Sequence, residues 1–149
     1  MSRLRLIALD GEDLSIIAAN LQDALCAVAE MTYQPKDHRF VALLNRFDWA
    51  TTLTEPSAPP RRRKAALRIE RVLAAKVQGI DLAASGDVLN VLTVQFEARA
   101  PQDEPAGVIT LVCAGGKALR FEVECIEVQL EDLDAVWTVQ TVPKHEDGS

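Results

Sequence analysis

The sequence holds little with which to do chemistry. Only two histidines, His38 and His145, stand among its 149 residues, so neither a nucleophile-His-acid arrangement nor a multi-histidine metal site assembles from them. The three cysteines, Cys26, Cys113 and Cys125, are odd in number and show no CxxC spacing. That excludes a disulfide framework and points to a reducing compartment. Gly115-Gly116 is too short for a phosphate loop and is not followed by Lys-Ser/Thr, so it reads as a turn. No segment approaches the ~20 apolar residues of a membrane span. The N-terminus passes from a short apolar run straight into acidic residues, without the core or cleavage site of a signal peptide. With Lys+Arg 16 against Asp+Glu 22, the net charge of -6 opposes a polyanion or an anionic membrane surface. These absences together lead us to expect a soluble cytoplasmic protein with no membrane partner, no metal and no cofactor, for which nucleic acid is a disfavoured partner.

What the sequence does contain is alternation. Leu119, Phe121, Val123 and Cys125 fall on one face of an extended segment, with Arg120, Glu122 and Glu124 on the other. The apolar set then changes parity to Ile126, Val128 and Leu130, opposed by Glu127, Gln129 and Glu131. A period of two that slips by one residue predicts a half-buried strand with a β-bulge at Cys125/Ile126, bent into a curved antiparallel sheet. A helix over Ile126 to Trp137 is the alternative, since Ile126, Leu130, Leu133 and Trp137 also match a 3.6-residue stripe.

Elsewhere, Arg3 to Leu9 reads as a short strand. Asp10 then caps a helix whose apolar stripe runs through Leu14, Ile17, Ala18, Leu21, Leu25 and Val28. VAEMTY and RFVALLNRF flank Gln34-Pro35-Lys36-Asp37-His38 and predict a β-hairpin. Thr51 to Pro60 is a proline-rich loop. For residues 65–79 helix propensity competes with a strand broken at Arg71; the turn residues Gly79, Asp81 and Ser85-Gly86-Asp87, read as a hairpin connection into Val88 to Ala98, favour strand. Val108 to Cys113 and the Gly115-Gly116 turn complete a further hairpin. A single domain over residues 1–142 and a disordered tail over 143–149 are expected.

Two features rise above background as candidate binding residues. Asn45, Arg46, Asp48 and Trp49, with Phe47 among them, gather an amide, a guanidinium, a carboxylate and two aromatics at a strand end. That combination suits stacking and bidentate recognition, or a core closure with Arg46 and Asp48 paired. Arg61, Arg62, Arg63 and Lys64 are four successive cations that either hold an anion or balance the protein's own carboxylates.

The segments RLIALDGEDL, YQPKDHRFVALLNRFDW, RRRKAALRIERV and AGGKALRFEVECIEVQLEDL resemble an uncharacterised bacterial family catalogued as a domain of unknown function, over Arg3 to about Trp137. The resemblance implies a small cytosolic protein and brings no assigned activity, catalytic residue or cofactor. The fold expected from the periodicities is α+β, a strongly curved antiparallel sheet of about six or seven strands, or a partly open β-barrel of pleckstrin-homology-like type, with one N-terminal helix. The expected function is a non-catalytic binding or accessory module recognising a protein or small anionic ligand through Asn45 to Trp49 and Arg61 to Lys64. The alternatives are an enzyme using Arg46, Asp48 and an acid from Glu122 to Glu131, and an RNA-binding protein using Trp49 and Arg61 to Lys64.

Overall fold

Period-two patterning covers most of the chain, and strands dominate the computed structural model, which describes residues 4–48, 62–100 and 105–133. The elements in order are β1 (Arg5–Ala8), α1 (Gly11–Leu21), β2 (Leu25–Ala27), β3 (Met31–Gln34), β4 (Arg39–Phe47), β5 (Arg62–Ile69), β6 (Val72–Gln78), β7 (Val88–Ala98), β8 (Gly107–Cys113), β9 (Lys117–Val123) and β10 (Val128–Asp132). All ten strands belong to one antiparallel sheet in the order β1, β10, β5, β4, β2, β7, β8, β9, β6, with β3 added to β4 beside β2. The sheet is not closed. α1 packs across it against β7 and β1, so the fold is an α+β arrangement with one N-terminal helix.

The helix starts as its sequence dictates. Asp10 is extended and its carboxylate accepts from the Asp13 N–H at 2.8 Å, satisfying one of the free donors of the first turn. Leu14, Ile17, Ala18 and Leu21 face the core. The stripe was expected to continue through Leu25 and Val28, but the helix stops at Leu21. Asp23 takes a left-handed φ of 67° and its N–H bonds to the Val91 carbonyl, turning the chain into β2. Leu25 and Val28 stay apolar because they join the sheet side of the core, where a strand and a short 3-10 turn replace the helix.

The hairpin of β3 and β4 forms as expected, around a 3-10 turn at Pro35–Asp37 with His38 left-handed. Residues 65–79 are strand, broken near Arg71 into β5 and β6. The strand count exceeds six or seven because two long runs are each cut at a corner and because β2 forms where the helix was expected to continue. β5 pairs with β10 and β6 with β9, so the break at Glu70-Arg71 lies opposite the break at Glu124–Glu127. The Glu70 N–H donates to the Glu127 carbonyl at 2.9 Å and the Glu124 N–H to the Arg71 carbonyl at 3.0 Å. The four strands thus make one folded two-stranded ribbon.

This corrects the bulge expected at Cys125/Ile126. The ladder breaks and the buried face changes parity there, but four residues leave the strand instead of one, because a ribbon turning a corner must release both of its strands. Ile126 is buried and Cys125 half-buried. β10 is a strand over Val128–Asp132, which removes the helical alternative for the described part of 126–137. Bulges occur instead between Val72 and Ala74 and between Val91 and Thr93.

The connection over residues 79–87 is a second correction. It was expected to be a hairpin joining β6 to β7, yet β6 pairs with β9, and β7 with β2 and β8. The turn chemistry reverses the chain without pairing its flanks. Instead the carbonyls of Asp87 and Ser85 accept from the N–H groups of Val28 and Ala29, docking the loop onto the 3-10 turn before β3. At the core, the rings of Phe40 on β4 and Phe121 on β9 meet with centroids 4.6 Å apart, joining two strands that are not neighbours in the sheet.

Candidate functional site

Alternation along β4 and β5 divides the expected site between two faces. Arg46 and Asp48 point inward with Arg63, while Asn45, Arg62 and Lys64 lie on the outer face. Four successive cations on a strand cannot make one patch, since neighbours point to opposite sides. Trp49 and Arg61 lie outside the described residues.

The inward group is buried and internally paired. Arg46, Arg63 and Asp48 are 4%, 4% and 3% exposed, and Asp132 at the end of β10 is fully buried. Arg46 and Arg63 are directly opposed across the β4–β5 ladder, an arrangement of like charges that requires a carboxylate for each. Asp132 receives Arg46 through two bonds, Nε to Oδ1 at 2.7 Å and Nη2 to Oδ2 at 2.8 Å. Asp48 Oδ2 receives Arg63 Nε at 2.8 Å. The Leu4 N–H also donates to Asp132 Oδ2, and the Asp132 N–H returns a bond to the Leu4 carbonyl. This charge-neutral quartet ties β4, β5, β10 and the start of β1 together. One guanidinium nitrogen, Arg63 Nη1, is buried without a hydrogen-bond partner.

The outer residues are also engaged. Arg62 Nη1 donates to the carbonyls of Asp23 and Asn45, and its guanidinium sits 5.8 Å from the centre of the Phe47 ring. Lys64 pairs with Glu30 at 3.0 Å. The acid that meets Arg46 is therefore Asp132, one residue beyond the run from Glu122 to Glu131. That run lies along β9, the corner and β10 without converging on Arg46. At the corner, Asp37, His38, Glu70, Arg71, Glu124 and Glu127 border a small cleft in which Arg71 pairs with Glu127 at 3.1 Å. Among the described residues no group of three or more His, Cys, Asp or Glu side chains is arranged to hold a metal ion.

Cys26 and Cys113 are buried core thiols. Burial pushes the Cys26 thiol up from 9.0 to about 12, and raises Cys113 as well. Both are thus held as inert thiols, not thiolate nucleophiles.

The sequence reading missed a groove on the opposite side of the curl. It encloses about 370 Å³ between β3 and β6, within the range of ligand sites. Phe40, Leu119 and Phe121 form its floor, Met31 and Tyr33 one wall, Ala75, Lys76 and Val77 the other, with Leu82 at the rim and Val28 at one end. Tyr33, Val77 and Leu82 are 37%, 41% and 59% exposed, so the groove presents apolar side chains to water. On β3 the lining residues are alternate, so a face is presented. On β6 they are successive, so the cavity meets the strand's edge. The available signal was the weak alternation of β6, where Leu73, Ala74, Ala75 and Val77 put apolar groups on both parities.

An α+β fold with an open, curled antiparallel sheet, a buried ionic quartet and an apolar groove is the class that the described residues define. Residues 4–145 match a family model described as "Protein of unknown function (DUF2948)", and the chain belongs to that family. No curated protein and no solved structure matches it. Among the described residues no helix is long and apolar enough to cross a membrane.

Proposed function

We propose that the protein is a non-catalytic binding module whose recognition site is the groove between β3 and β6. The observation that carries this reading is the combination of an apolar cavity with a strand edge along its wall, beside three exposed large apolar side chains. The charged cluster supports the same division of labour: Arg46, Asp48 and Arg63 are committed to pairs, and Arg62 and Lys64 to bonds with carbonyls and Glu30. We also read the incompletely closed curl as pleckstrin-homology-like, an analogy of shape that carries no activity.

The test is a titration of the isotope-labelled protein with 1-anilinonaphthalene-8-sulfonate, followed by amide shifts. Saturable one-to-one binding with shifts confined to Met31, Tyr33, Ala75 to Val77 and Leu119, weakened at least tenfold by Val77→Asp, is the expected result. Shifts centred instead on Ile7, Leu9 and Ile16, exposed apolar residues of β1, α1 and the connection between them, or no saturable binding, would overturn it.

A further inference from the structure

We propose that the groove is filled by an added strand: an extended peptide of a partner protein pairs with the free edge of β6, placing apolar side chains inward and a carboxylate against Lys76. This rests on the reading of the groove as the recognition site and names what enters it.

The main-chain argument comes from the β6–β9 ladder. The Glu124 N–H to Arg71 carbonyl bond marks a hydrogen-bonded pair, after which pairs alternate. Val72/Val123 is non-bonded, the bulge takes Leu73 and Ala74 opposite Glu122, Ala75/Phe121 is non-bonded, Lys76/Arg120 bonded and Val77/Leu119 non-bonded. Ala75 and Val77 therefore turn their N–H and C=O groups away from β9, into the groove they line. Among the described residues no strand occupies that edge. A peptide main chain meets these groups at strand spacing, whereas an apolar small molecule leaves them without partners.

The side-chain pattern follows from the same register, because directly opposed residues point to the same face. Residues of the added strand opposite Ala75 and Val77 point inward onto Phe121 and Leu119, and must be apolar. The residue opposite Lys76 points outward beside Lys76, with Arg120 on the same face one strand further on. Arg120 Nη1 donates to Gln78, and among the described residues neither cation forms an ion pair with a carboxylate. An acidic residue there is complementary. Lys76 also disfavours a second copy, since edge-to-edge antiparallel pairing of two β6 strands centred on it would set this cation against its own image.

The probes are blocked eight-residue peptides of alternating Val and Glu or alternating Val and Lys. With the Val/Glu peptide, exchange of the Ala75 and Val77 amides should slow at least tenfold, while the Val/Lys peptide has no effect. Lys76→Glu should reverse the preference. Val77→Pro, which removes one edge N–H without touching the ladder to β9, should abolish peptide binding; 1-anilinonaphthalene-8-sulfonate is titrated against the native chain in parallel. If that dye binds in the groove but neither peptide slows these amides, strand addition is wrong and the groove reading survives; if the dye also fails to bind, both fall. Protection of the same two amides in the free protein would show the edge already occupied and would overturn the proposal.

Discussion

The quartet at the ends of β4, β5 and β10 and the groove between β3 and β6 are built from opposite materials. The quartet buries four charged side chains and pairs each cation with a carboxylate. The groove leaves apolar groups in water and a strand edge unpaired among the described residues. A buried ion pair gains little over a well-packed apolar pair, yet losing one partner is severe, so its effect is to penalise any arrangement that separates β4 from β10. The groove carries no such penalty and can exchange its neighbours. Charge density in this chain thus marks where the fold is locked, and ordinary aliphatic residues mark where it is open.

The largest expected effect breaks the locked side. Asp132→Ala leaves Arg46 buried without its carboxylate and removes the acceptor of the Leu4 N–H. Urea unfolding should show a loss of ~3–5 kcal/mol. Replacing both partners, Arg46→Met with Asp132→Leu, should recover most of that loss, since no charge then remains unpaired. If the double variant is as unstable as the single one, the quartet is holding more than its own charges.

The groove floor has a comparable requirement, for a different reason. Phe121→Ala removes a large buried side chain and its contact with Phe40, and should cost ~3–5 kcal/mol by the same measurement. An equal loss at both places would show that the two regions differ in chemistry and not in their contribution to folding.

The core thiols between these regions give a pH-dependent comparison. Because burial raises the Cys26 pKa from 9.0 to about 12, the unfolded chain ionises this thiol first. The stability it provides is complete below pH 9 and is lost as pH rises toward 12. The difference in unfolding free energy between the native chain and Cys26→Ala should therefore shrink across that window. A difference that is flat there would mean that Cys26 ionises freely in the fold.

The strands, the capped helix and the β3–β4 hairpin were legible because each is written in local periodicity: Asp10 three residues before Asp13, the alternation of Leu119 to Val123, Pro35 in a turn. The corner was half legible. The parity change at Cys125/Ile126 was visible, but the matching break at Glu70-Arg71 is 54 residues away in the chain, and only pairing shows that the two coincide. The surroundings of the candidate residues were illegible for a related reason. Asn45 to Asp48 and Arg62 to Lys64 stand out by composition, yet their role depends on Asp132 and Glu30, which the sequence gives no reason to place beside them. The groove lies along the β6 edge that no described strand pairs, and an open edge leaves little trace in a sequence beyond weak alternation.

The smaller effects separate outer charges from inner ones on the same two strands. Lys64→Ala breaks a pair with Glu30 that is open to water, and should change stability by ~0.2–1 kcal/mol, diminishing further at high salt. Arg63→Ala, one residue away and buried against Asp48, should exceed that several-fold because it leaves a buried carboxylate behind. Equal effects would mean that the alternation of faces does not decide the energetics.

The smallest expected effect on stability belongs to the residue with the largest expected effect on recognition. Val77 is 41% exposed, and its side chain meets water as much as it meets the groove. Exposed substitutions away from caps, strained turns and buried pairs usually fall within ~0.5 kcal/mol, and β6 retains its ladder to β9 whatever that side chain is. Val77→Asp should therefore unfold at the same urea concentration as the native chain. Its carboxylate nevertheless lies where an apolar group must enter above Leu119, so burying it beneath a ligand would require desolvating an unpaired charge. Unchanged unfolding together with lost binding of the apolar probe would separate folding from recognition at one residue. A large loss of stability would instead make Val77 part of the core and close the contrast between the two regions.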